Sequence, residues 1–140
     1  MTIALYSLLA FALWTLALLA FTVGVYRWNL ILRGARDIHS FRADASEDSP
    51  DWYRRATRAH LNCVENLPVF GAIVAIATFA QLHSATFDVL AIIIVVARLL
   101  QSLTHVCFPI SARSVSIRFT FFSFQLVCML VQIWLIATLT

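Results

Sequence analysis

Four apolar runs, each long enough to cross a bilayer, leave this chain few other ways to fold. They lie at Ile3 to Tyr26, Leu61 to Leu82, Phe87 to Cys107 and Val115 to Thr138, and about 20 residues are enough for a helix to traverse the hydrocarbon. The 140 residues are 61% hydrophobic, against roughly 45 to 50% for an ordinary soluble domain. The expected fold is all-α: one integral membrane four-helix bundle covering residues 1–140, with no room for a separate soluble domain. Its helices are expected at about 3–26, 49–82, 87–107 and 115–138, with a loop at about 33–48.

The first run has no basic residue before it and is longer than a signal-peptide core, so it is read as a retained helix. All ten basic residues are arginines, and Arg27, Arg33, Arg36, Arg42, Arg54, Arg55 and Arg58 lie in or beside the first connection. Arg113 and Arg118 flank the third, whereas the second, around His83 to Thr86, has no Lys or Arg. The positive-inside rule then puts the first and third connections in the cytoplasm and both termini on the opposite side. In a bacterium the membrane would be the inner one. The net charge of +3 follows from this topology and implies no nucleic-acid partner. Cys63, Cys107 and Cys128 are odd in number and sit in or at the edge of spans, so they are read as packing residues and not as a disulfide framework.

In "EDSPDWYRR", Ser49 can cap a helix whose first turn holds Pro50 and Asp51. From Ser49 to Leu82 that helix would measure roughly 50 Å, longer than the lipid core, so its first turns project from the bilayer carrying Arg54, Arg55 and Arg58. Pro68 removes a backbone hydrogen bond and predicts a kink. Arg58, Asn62 and Glu65 are spaced i, i+4, i+7 and share one stripe, with His60 pointing nearly the opposite way. A charge at the centre of a span costs about 2.5 to 3.5 kcal/mol on insertion scales, and Glu65 therefore needs a partner.

The third run repeats the pattern, with Arg98, Gln101, Ser102 and His105 in "ARLLQSLTH". The simplest structural account is a Glu65 to Arg98 ion pair between the second and third helices. That account gives no role to Arg58, Asn62, Arg113, Ser114 and Arg118. On the fourth helix Ser114 and Arg118 share a face, continued by Gln125 and Gln132, which suit interhelical hydrogen bonding. Arg118 lies near the level at which Arg58 and Asn62 enter. Arginines and amides converging on one cleft suit a small anionic ligand with carboxylates and amides. His39, His60, His83 and His105 form no ligand cluster, and no metal is expected.

The motifs "RAHLNCVENLPVF" and "ARSVSIR" resemble those of the membrane-associated proteins in eicosanoid and glutathione metabolism (MAPEG). The first is similar to the family's Arg-Ala-x-x-Asn-x-x-Glu-x-x-Pro core, and the likeness in length and span order covers the whole chain, as for a divergent, bacterial-type member. The resemblance implies a homotrimer in the lipid bilayer, with glutathione as co-substrate bound between subunits near the cytoplasmic face. Arg58, Asn62 and Glu65 look like the family residues that hold the tripeptide's charged groups. Arg118 looks like the arginine that stabilises the thiolate, and Arg113 and Ser114 like the Arg-Ser pair beside the thiol. Arg98 and His105 would complete the site, with Arg33 from the end of the first helix and Arg27 and Arg36 as alternatives.

The chain also departs from the family. His105 stands where the prostaglandin branch has a tyrosine, Gln101 where it has a histidine, and Leu61 where it has a basic residue. Asn66 replaces an aromatic residue of the leukotriene branch. His105 would bond glutathione or satisfy a helix contact. The reading that follows is a membrane-bound glutathione-dependent transferase or peroxidase acting on a lipophilic small-molecule electrophile or hydroperoxide. A free thiol has a pKa of roughly 8.5, and lowering it by one or two units makes most of it nucleophilic at neutral pH. The alternatives are a non-catalytic glutathione- or lipid-binding scaffold of the same fold and a proton-coupled transporter. Arg58 and Arg98 argue against the transporter, because nearby positive charge keeps Glu65 ionised.

Overall fold

A computed structural model describes residues 1–35, 37, 39, 41 and 49–139. Arg36, the alternative to Arg33, lies outside the described residues, as do Arg42, Asp44, Glu47 and Asp48 of the first connection. The described residues form helices and no strand: α1 (Ile3–Leu18), a π-helical turn (Leu19–Gly24), α2 (Val25–Leu32), α3 (Asp51–Phe79), α4 (Ala85–Cys107) and α5 (Ala112–Leu139). The first three run on as one span, so four helices are long and apolar enough to cross a membrane.

The first span passes its expected end at Tyr26 and reaches Leu32. It does so through the π turn, where the spacing of core residues changes. Ala4, Ser7, Phe11, Thr15 and Leu18 follow one another at three or four residues, but Val23 follows Leu18 at five. The Thr22 hydroxyl donates to the Leu18 carbonyl at this widened turn. Gly24 suits the turn because a β-carbon there would stand 2.9 Å from the Leu19 carbonyl oxygen. Gly34, at φ 64°, then ends the span with its amide on the Ile31 carbonyl and that of Ala35 on the Leu30 carbonyl, a Schellman closure.

Local chemistry also sets the other ends. Pro50, not Ser49, takes the N-cap position of α3, and its carbonyl accepts from Tyr53 and Arg54. α3 runs through Pro68 without a break and stops at Phe79, short of the expected Leu82. Gln81 there adopts φ 53°, its amide bonding the Thr78 carbonyl and that of Leu82 the Ala77 carbonyl, a second Schellman closure without glycine. α4 begins at Ala85, two residues ahead of the expected start, and Ser84 caps it by accepting from the Phe87 amide. Ser111 and Ser114 begin α5 with reciprocal bonds: each side-chain oxygen accepts from the other's amide, at 3.2 and 2.9 Å, the geometry of a capping box.

Burial of small residues brings the spans close. Ala56, Ala59, Cys63, Ala77, Ala91 and Ala97 are all buried, which lets helix backbones approach where larger side chains would hold them apart. α4 packs against α1, α3 and α5. Phe11 of α1 and Phe70 of α3 meet in the core with ring centroids 5.8 Å apart. Leu13, Phe21, Phe79, Phe119 and Trp134 point outward, as a lipid-facing surface requires. Asp88 of α4 accepts from the Ala4 amide at 3.0 Å and ties the starts of α1 and α4 together. The end of α2, the starts of α3 and α5 and the end of α4 therefore gather at the other end of the bundle, the rim.

Candidate functional site

At the rim, α3 carries the predicted polar stripe, and its members have different fates. Asn62 is half-buried and its amide nitrogen lies 3.2 Å from Nε2 of His105 on α4. Asn66 follows one turn later and donates to the Asn62 carbonyl at 2.9 Å. Arg58 and Glu65 are exposed in the single chain. Neither enters a salt bridge among the described residues, where the ion pair is that of Arg54 with Asp51 at 2.7 Å, in the exposed first turn of α3. His60 on the opposite side of α3 places Nδ1 3.2 Å from the Thr15 carbonyl oxygen, joining α3 to α1.

The Glu65 to Arg98 ion pair is not formed. The Arg98 guanidinium is only 1% exposed and has other company. Its Nη1 donates to Gln101 Oε1 at 2.8 Å and its carbon lies 5.6 Å from the centroid of the Phe11 ring. Nε and Nη2 of Arg98 have no hydrogen-bond partner among the described residues. Gln101 receives a second bond on Oε1, from Gln125 Nε2 at 3.2 Å, and its own Nε2 donates to the Arg118 carbonyl at 3.1 Å. Gln132, further along α5, donates to the Phe87 carbonyl at 3.1 Å. Both glutamines of α5 therefore join it to α4.

Ser114 and Arg118 are buried and engaged with backbone. Besides its role in the capping box, the Ser114 hydroxyl contacts the Pro109 carbonyl oxygen at 2.9 Å. Arg118 Nη2 donates to the carbonyls of Thr104 and Phe108 at 3.2 and 3.1 Å. These are carbonyls at the end of α4, which lack helical partners of their own, and the positive guanidinium suits the negative end of the helix dipole. Arg118 Nε has no partner among the described residues. Arg113 is exposed beside Ala112, Ser116 and Ile117.

Of the first-span arginines, Arg27 is held within the chain. Its Nε donates to the Tyr53 hydroxyl at 2.7 Å and its guanidinium carbon lies 5.4 Å from the centroid of the Phe41 ring. Tyr53 in turn stacks on Tyr26 at 4.2 Å, and Trp52 meets Tyr26 edge-on at 5.3 Å. Arg33 is exposed at the mouth of an open groove of about 830 Å³ lined by Leu19, Ala20, Gly24, Val25 and Trp28. The tyrosines and the Gln101 junction were not foreseen. An aromatic pair beside arginines at a span end is the signal that points to the first.

The structure thus brings Asn62, His105, Arg98 and Arg118 onto facing sides of α3, α4 and α5 through bonds within the chain. Arg33, Arg58, Glu65 and Arg113 remain on its surface. Among the described residues no three His, Cys, Asp or Glu side chains stand together as a metal would need.

Four spans, two of them bonded through buried glutamines, with cationic and amide side chains gathered at one end, define a multi-pass helical membrane protein with a polar rim. Residues 4–138 match the MAPEG family, and the chain belongs to it. No curated protein and no solved structure matches the chain. The family is associated with glutathione, and its members are integral membrane proteins.

Proposed function

We propose that this protein is a membrane-bound glutathione-dependent transferase or peroxidase that acts on lipophilic electrophiles or hydroperoxides at the cytoplasmic face. One observation carries the reading: among the described residues Arg58 and Glu65 stand exposed on a single stripe of α3 without an ion pair, while Asn62 between them is anchored to His105. Charges on a membrane helix are favourable where a partner meets them. Glutathione offers two carboxylates for the arginines and an ammonium group for Glu65. A homotrimer would supply the opposite wall of the site, with Arg33 and Arg113 at its edges.

In this reading the thiol lies near Arg118, whose positive charge favours the thiolate. The thiolate sulfur then forms a bond to an electrophilic carbon while that carbon's leaving group departs. With a hydroperoxide it attacks the outer oxygen instead: an S–O bond forms as the O–O bond breaks, and the alkoxide leaves and takes up a proton as the alcohol. A second glutathione reduces the resulting sulfenic acid to the disulfide and water. Lipophilic substrates would reach it from the bilayer.

A second reading is a non-catalytic glutathione- or lipid-binding scaffold. The observation in its favour is that Ser114 and Arg118 already hold the ends of α5 and α4. Thermal unfolding of the detergent-purified protein separates the possibilities. Glutathione at about 100 times its Kd should stabilise the protein by about 2.7 kcal/mol, and Arg58→Ala should remove most of the effect. Thiolate absorbance and conjugation of a test electrophile should follow. Absence of stabilisation would sink the glutathione reading, and binding without thiolate would favour the scaffold.

A further inference from the structure

We propose that Arg98 and Gln101 do not touch glutathione and instead are positioning residues for Arg118, acting through one hydrogen-bond chain between α4 and α5. The inference rests on the reading above only where it speaks of a thiolate. The clasp between the helices is a property of the chain by itself.

The chain has a direction that follows from what each group can do. An amide side chain donates only from nitrogen and accepts only on oxygen. Arg98 Nη1 and Gln125 Nε2 both donate to Gln101 Oε1. The Gln101 amide is thereby fixed, and its Nε2 must face the Arg118 carbonyl, to which it donates. Arg98 makes the first bond charge-assisted, and a cation on the amide oxygen polarises the N–H at the other end. Gln125 is itself held by a bond to the Phe121 carbonyl at 3.0 Å, so neither donor is loose.

Contacts run the opposite way as well. Gln101 places a side chain of α4 on the backbone of α5 at residue 118. Arg118 places a side chain of α5 on the carbonyls of Thr104 in the last turn of α4 and of Phe108, the residue that follows it. These carbonyls lie three and seven residues beyond Gln101, where α4 ends. Both ends of Arg118, carbonyl and guanidinium, are thus held by α4 and its C-cap residue, and Nε has no partner among the described residues. Arg98 and Gln101 are 1% and 4% exposed, so a charged tripeptide at the rim could reach them only by opening the core.

The test uses full-length protein in detergent and three variants. Gln101→Leu removes both halves of the junction. Gln101→Glu keeps the acceptors for Arg98 and Gln125 but has no donor for the Arg118 carbonyl, and it serves if the leucine variant does not fold. Gln101→His can accept on one ring nitrogen and donate from the other. The leucine and glutamate variants should bind glutathione with near wild-type affinity, yet the pH midpoint of thiolate formation should rise, so that the thiolate fraction at neutral pH falls by about tenfold. The histidine variant should recover the wild-type midpoint. Amide hydrogen exchange over residues 104–122, measured without glutathione, should quicken in the leucine and glutamate variants and not in the histidine variant.

An unchanged midpoint in a folded Gln101→Leu or Gln101→Glu protein would overturn the proposal. Loss of glutathione affinity with an unchanged midpoint would also overturn it, since Gln101 would then be a binding residue. Should the wild-type protein bind no glutathione, the functional reading falls, and exchange alone decides the clasp: unchanged rates overturn it.

Discussion

Asn62 and His105 meet across α3 and α4 with 3.2 Å between the amide nitrogen and Nε2. An amide nitrogen donates, so this contact pairs with the His105 tautomer that leaves Nε2 as the acceptor. His105 thereby links α4 to α3. Replacing it with leucine should cost about 1 kcal/mol, read as a fall in Tm of about 3 °C, whereas His105→Gln offers an acceptor and should lose less. Equal losses would mean that the bond contributes little.

Ser114 lies in the predicted thiol region but also starts a helix. Ser111→Ala and Ser114→Ala should each cost about 1 kcal/mol. Their bonds are reciprocal, so the double variant should cost less than the sum of the two. Denaturant titration of all three proteins checks this. Strict additivity would show that the two serines act independently.

Arg98 lies in a span and enters no ion pair among the described residues, and a charge in that position is expensive. Arg98→Met, which keeps volume and removes charge, should leave Tm unchanged or raise it. Arg98→Ala should lose about 2 to 4 kcal/mol through the cavity it leaves. A large loss of stability in the methionine variant would show that the guanidinium itself holds the bundle together.

Gln81 closes α3 at φ 53°, a conformation that L side chains disfavour by about 1 to 2 kcal/mol. Gln81→Gly should therefore raise stability by up to about 1 kcal/mol, after the entropy that glycine adds to the unfolded chain. The measurement is the shift of the unfolding midpoint in detergent. A destabilised variant would mean that the glutamine side chain makes a contact worth more than the backbone strain.

The four spans were legible because apolar length is a coarse signal that survives any choice of partner. Helix ends were not, since they depend on backbone closures: Gln81 stops α3 where hydropathy alone would continue to Leu82, and Gly34 lets the first span run past Tyr26. The stripe of Arg58, Asn62 and Glu65 follows from helical periodicity. Whether Arg98 meets Glu65 or Gln101 does not, because both lie within reach and periodicity ignores the third helix that brings Gln125 to the same oxygen. Arg27 and Arg33 could not be told apart by spacing. Their separation depends on Tyr53, a residue from the next helix.

The π turn at Leu19–Gly24 sets the phase of everything that follows it. One residue of an α-helix corresponds to about 100° of rotation, so a single added residue turns the rim half of the first span relative to its membrane half. Two faces that a uniform helix would lock together, the one that seats Phe11 against Phe70 and the one that brings Arg27 to Tyr53, are thereby aimed separately. The turn works as an offset gear: its residue count, more than its chemistry, decides which first-span side chains face the rest of the protein at the rim.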